Sequence, residues 1–72
     1  MNNYVLVSGD DWCGLYLNDK LIYENHSIEE SRIFSLIIEN GKTVDSFEQK
    51  YCDCEWLDDL GRLPENLSDV VL

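Results

Sequence analysis

The chain has 72 residues, enough for one domain, since a hydrophobic core needs roughly 50 residues to stand alone. Fifteen acidic residues against five basic ones give a net charge of -10, which repels nucleic acid and anionic lipid and steers the protein toward basic partners. Hydrophobic residues at 44% and aromatics at 11% suit a folded chain, and no apolar run nears the roughly 20 residues of a membrane span.

In chain order, residues 4–7 (YVLV) form a β-branched and aromatic run closed by Ser8, Gly9, Asp10 and Asp11, which predicts a strand and a turn. Residues 14–23 (GLYLNDKLIY) predict a two-residue hairpin, because Asn18 and Asp19 tolerate the positive φ of a type I′ turn. In that register Leu15, Leu17 and Ile22 share one face and Tyr16, Leu21 and Tyr23 the other. One face is expected to meet the core and the other a partner surface or a second subunit.

Residues 27–41 (SIEESRIFSLIIENG) predict the main helix. Ser27 and Glu30 have capping-box spacing, Ile33, Phe34, Ile37 and Ile38 recur at helical intervals, and Asn40 with Gly41 supplies the stop. Residues 42–52 alternate loosely, with Val44 on one side and Phe47 and Tyr51 on the other, as a half-exposed or edge strand would. Residues 55–61 predict two helical turns with Trp56, Leu57 and Leu60 inward, Asp58 and Asp59 outward, and Gly61 as terminator. Beyond them, Leu63, Leu67, Val70 and Val71 are spaced to pack, with Pro64 suited to a first helical turn. The expected fold is α+β: one domain over residues 1–72, with a small, mostly antiparallel sheet of three to four strands in the order β-β-β-α-β. One main helix lies on the sheet and short helical turns follow.

Cys13, Cys52 and Cys54 make an odd count, which fits reduced intracellular thiols better than a disulfide framework. The amino terminus lacks the basic start and long apolar stretch of a signal peptide, so the expected location is cytoplasmic. A zinc site would have to draw on Cys13, His26, Cys52 and Cys54. The Cys-x-Cys pair on a strand would point both thiols to one face without a turn to wrap a metal, so metal binding is a secondary reading and no cofactor is expected. No nucleophile with a companion base, no phosphate-cradling glycine loop and no basic cluster is present, so no enzymatic activity is expected. His26 reads as a residue flanking the helix start.

Acidic residues then carry the functional reading. From Asp53 onward, Asp53, Glu55, Asp58, Asp59, Glu65 and Asp69 stand against Arg62 alone, interleaved with apolar residues that fix the segment on the core. Fixed carboxylates can stand in for phosphates in a groove lined with Lys and Arg. Asp10 and Asp11 add to that field, and Trp12 or Trp56 is a candidate anchor. The bland alternative is that acidity only keeps a small protein soluble. In size and charge the chain resembles the small acidic inhibitors that phages encode against host nucleic-acid enzymes, including some anti-CRISPR proteins. The likeness covers bulk properties and transfers no residue. It implies a non-enzymatic inhibitor of a basic, nucleic-acid-binding partner. The remaining alternative is an obligate homodimer acting as a structural or antitoxin-like subunit.

Overall fold

Asn18 and Asp19 take φ of 50° and 71°, the two successive positive values of the hairpin turn that the sequence predicts. Around that turn the computed structural model, which describes residues 1–71, builds β1 (Asn3–Ser8), β2 (Cys13–Leu17) and β3 (Lys20–Asn25). Helix α1 (Glu30–Asn40), β4 (Ser46–Tyr51), α2 (Cys54–Leu60) and a 3-10 turn (Leu67–Asp69) follow. The architecture is α+β, with the strands in one mixed sheet ordered β3-β2-β1-β4. β1/β2 and β2/β3 pair antiparallel and β1/β4 parallel. The parallel pair arises because α1 carries the chain from the β3 edge across to the far edge before β4 begins.

Both sheet faces are covered by the chain itself. On one face Leu36 of α1 packs with Tyr4 and Leu15, joined by Leu6, Leu17, Ile22, Ile28 and Ile37. On the other, Leu57 of α2 and Leu63 pack with Val7, Tyr16 and Cys52. The hairpin face expected to await a partner is therefore closed by the C-terminal segment, whose Leu63 is fully buried. Gly14 makes room for it: a Cβ there would stand 2.5 Å from Leu63 Cδ1 and 2.9 Å from Leu21 Cδ1.

Several local expectations are corrected. Tyr23 joins Leu15 on the α1 face, not Tyr16 and Leu21, because Leu15 pairs with Tyr23 and Tyr16 with Leu21, leaving Ile22 as a bulge that reverses the alternation. The Ser27 and Glu30 capping box does not form. Helix α1 starts later, with Glu29 at its N-cap and no side-chain cap bond, since Ile28 is drawn onto the Tyr4, Leu15 and Leu36 cluster. Gly41 ends α1 with φ -100°, and the left-handed residue is Lys42 at φ 65°. Phe34 and Ile38 point outward at 64% and 66% exposure, while Leu36 is the buried contact.

Val44 lies before β4 and lines the same groove as Phe47 rather than the opposite side. β4 itself is an exposed edge strand, as its polar residues predict. In α2, Leu57 is buried but Leu60 is 48% exposed. The helix ends at Gly61 in the left-handed conformation, φ 82°, as the sequence predicts. Pro64 opens no helix; it sits in an irregular stretch before the 3-10 turn.

Candidate functional site

α2 is a short helix held from both ends. Asp53 caps it, its carboxylate Oδ1 accepting the Trp56 N–H at 3.0 Å, and the Gly61 N–H closes it on the Leu57 carbonyl at 2.8 Å. Leu57 is buried and Trp56 half-buried against the core, so the remaining surface of the helix is fixed in direction. That surface presents Glu55, Asp58 and Asp59, all exposed, beside the exposed capping residue Asp53. No basic residue occupies the last turn of α2.

The β1–β2 turn brings Asp11 to this helix, with Asp10 exposed beside it in the turn. Its geometry is set by the Gly9 N–H donating to the Trp12 carbonyl at 2.7 Å. A shallow cleft of about 140 Å³ between turn and helix is lined by Asp11, Trp12, Leu57, Asp58 and Gly61. Asp11 and Asp58, remote in sequence, thus border one depression that Trp12 also lines. Trp12 is half-buried and folds back against the sheet. Its Nε1–H donates to Glu24 Oε1 at 3.1 Å, and its ring meets His26 edge-on at a centroid distance of 4.9 Å.

Glu65 and Asp69 are exposed but stand apart from α2. Glu65 borders a separate cleft with Leu21, Tyr23, Glu24 and Arg62, and Asp69 lies in the 3-10 turn. The ion pairs among the described residues are Lys50 with Glu48 at 3.6 Å and Arg62 with Glu24 at 3.5 Å. Arg32 lies over the Tyr23 ring at 5.0 Å, and Lys20 bonds the Asn66 side chain. Hence none of Asp10, Asp11, Asp53, Glu55, Asp58, Asp59, Glu65 and Asp69 has a cationic partner among the described residues.

The thiols are dispersed. Cys13 sits on the same face of β2 as Leu15, and burial pushes its pKa up, against a hydrogen bond with the Ile28 backbone. Cys52 lies in the cluster on the opposite face and is likewise raised by burial. Cys52 and Cys54 do not share a strand face as the sequence suggested, because β4 ends at Tyr51 and Cys54 is the exposed first residue of α2. His26 is exposed, its Nδ1 3.2 Å from the Asp11 carbonyl oxygen. Among the described residues, no three His, Cys, Asp or Glu side chains converge as a metal site would require.

One feature escaped the sequence reading: an apolar groove of about 500 Å³ between α1 and β4, lined by Ile33, Phe34, Ile37, Val44 and Phe47. Its signal was present, since five of the six residues Ile33–Ile38 are apolar, more than one buried stripe of a helix can use. No protein-family model, curated protein or solved structure matches the chain. No helix of the described residues is long and apolar enough to cross a membrane.

Proposed function

We propose that this chain is a non-enzymatic interaction protein of the cytoplasm that occupies the basic, nucleic-acid-binding surface of another protein and thereby inhibits or modulates it. Its carboxylates take the place of phosphates, as in the anti-CRISPR-like inhibitors it resembles in size and charge. The observation that carries the reading is the position of Asp58. It stands near the carboxyl-terminal end of α2, where the helix dipole opposes negative charge, three residues from Glu55 and next to Asp59, with no cation paired to it among the described residues. A carboxylate whose place disfavours the local fold is better accounted for by a contact outside the chain. Asp11 and Trp12 beside it supply a second charge and an apolar wall at the same cleft.

The function is tested by affinity capture on the immobilised chain from a cell lysate at low and at high salt, with retained proteins identified by mass. Charge-driven contacts between exposed groups are screened beyond about 8 Å at physiological ionic strength. A Lys- and Arg-rich nucleic-acid-binding protein held at low salt and released at high salt agrees with the proposal. Partners held equally at both contradict it.

A further inference from the structure

The sheet has two edges, and they are treated differently. Along β3 the Leu21 N–H donates to the Glu65 carbonyl at 2.8 Å, Lys20 bridges Asn66, and the Leu67 N–H reaches the Asp19 carbonyl at 2.9 Å. The C-terminal segment therefore covers the start of that edge, at Lys20 and Leu21. Nothing among the described residues covers β4. Exposed edges are usually blunted by proline, a bulge, brevity or charged side chains, lysine above all. β4 has no proline, and its register with β1 runs unbroken from Ser46 to Tyr51. Its single lysine, Lys50, is paired with Glu48.

Backbone direction decides what this edge can accept. The Ser46 and Cys52 N–H groups donate to the Asn2 and Ser8 carbonyls of the β1 side, at 3.4 Å and 3.0 Å. Successive residues of a strand turn their backbone groups to opposite sides, so Phe47, Gln49 and Tyr51 direct theirs outward. A second copy related by a two-fold axis must pair outward residues with outward residues. An axis through Glu48 would set that carboxylate against its own mate, and an axis through Lys50 would do the same with two ammonium groups. An axis through Gln49 sets Glu48 opposite the partner's Lys50, Lys50 opposite the partner's Glu48, and Phe47 opposite the partner's Tyr51. Opposite charges and aromatic pairs facing across strands are stabilising, and like charges are not.

We infer that the chain forms a symmetric dimer through β4, antiparallel to β4 of a second copy with Gln49 on the axis, making one continuous sheet across both chains. The apolar groove fits the same geometry. Phe47, at 42% exposure, lines it, and the exposed rings of Phe34 and Tyr51 lie where the two copies would meet on the α1 face. The ladder is bounded at one end by the Asp53 N–H, already donated to the Val71 carbonyl at 2.9 Å. Two chains of net charge -10 repel, so this dimer strengthens as salt is added, opposite to the capture of a basic partner.

Sedimentation equilibrium of the full chain across micromolar to millimolar concentrations tests the inference. The parent is expected to approach the mass of two chains, more readily at high salt. Glu48→Lys and Lys50→Glu each place like charges opposite one another twice, and each should weaken dimerisation about tenfold. Glu48→Lys does so although it makes the net charge less negative by two, which alone would favour association. An equimolar mixture of the two variants restores the opposite-charge pairs and should recover the parent's dimer mass. Gln49→Pro, which removes an N–H the fold does not use, should give single chains with an unchanged circular dichroism spectrum. A parent that stays a single chain at every concentration and salt, or charge variants that dimerise as the parent does, would overturn the inference.

Discussion

The Tyr16 hydroxyl donates a 2.6 Å hydrogen bond to the carbonyl oxygen of Pro64, fastening the middle of β2 to the segment that follows α2. Both tyrosines at the centre of the sheet, Tyr16 and Tyr4, are fully buried, but the Tyr4 hydroxyl has no hydrogen-bond partner among the described residues. The same deletion should therefore have different effects at the two sites. Tyr16→Phe leaves the Pro64 carbonyl without its donor and should cost about 1 kcal/mol, whereas Tyr4→Phe removes an unpaired polar group and should be neutral or stabilising. Urea denaturation midpoints of the two variants check this, and equal losses would contradict it.

Alkaline pH should loosen the fold through the same residue. Burial first, then the negative charges of Glu24, Cys52 and Asp69, pushes the Tyr16 phenol far above its ordinary 10.0. Burial also raises the Cys13 and Cys52 thiols above 9.0. A group held protonated in the folded state gives its full stability below its unfolded pKa and loses it as pH rises toward the folded value. Stability should thus be level up to about pH 9 and fall beyond it. Tyr16→Phe should flatten the part of that fall above pH 10, the ordinary value of the phenol, in urea titrations run across the range.

Asp53 is a cap before it is a surface charge. Asp53→Ala removes the bond to the Trp56 N–H and should destabilise α2 by about 1 kcal/mol, while Asp53→Asn keeps an acceptor and should cost much less. If binding to a basic partner weakens equally in both variants, the charge is what the partner reads; if only Asp53→Ala weakens it, the helix frame is.

Cys54 is the exposed thiol, and Cys13 and Cys52 are buried. Iodoacetamide under native conditions should alkylate Cys54 alone, with the other two reacting only after unfolding, as counted by intact mass. Protection of Cys54 that a chelator abolishes would instead revive the metal reading.

Short-range chemistry was the legible part of the sequence. Asn18-Asp19 specifies its turn by tolerating positive φ, Gly61 ends α2 by the same freedom, and the polar character of β4 marks an edge. Long-range competition was not legible. Ser27 and Glu30 have the spacing of a capping box, but burying Ile28 against the sheet outweighs a cap bond. In α1 the apolar residues admit two overlapping stripes, and only the sheet decides that Leu36 turns inward while Phe34 and Ile38 stay outside. The acidic run was visible at once, but the cleft shared by Asp11, Trp12 and Asp58 needs the β1–β2 turn and α2 in place.

Asp58→Asn combined with Asp59→Asn should separate binding from folding. Both carboxylates sit in the last turn of α2 against its dipole, so their neutralisation should stabilise the fold by about 0.5 kcal/mol, read as a slightly higher denaturation midpoint. The same change should slow association with a basic partner at low salt and have little effect at high salt. Unchanged association rates at low salt would remove these two residues from the binding surface.

The most direct measurement is displacement. A labelled DNA or RNA duplex is bound to the basic protein captured at low salt, and release of the duplex is followed at that fixed low salt as the chain is added. Competition for one surface predicts stoichiometric release, with the Asp58→Asn, Asp59→Asn variant needing a higher concentration to achieve it. A ternary complex in which the duplex stays bound while the chain binds elsewhere would contradict the phosphate-mimic account.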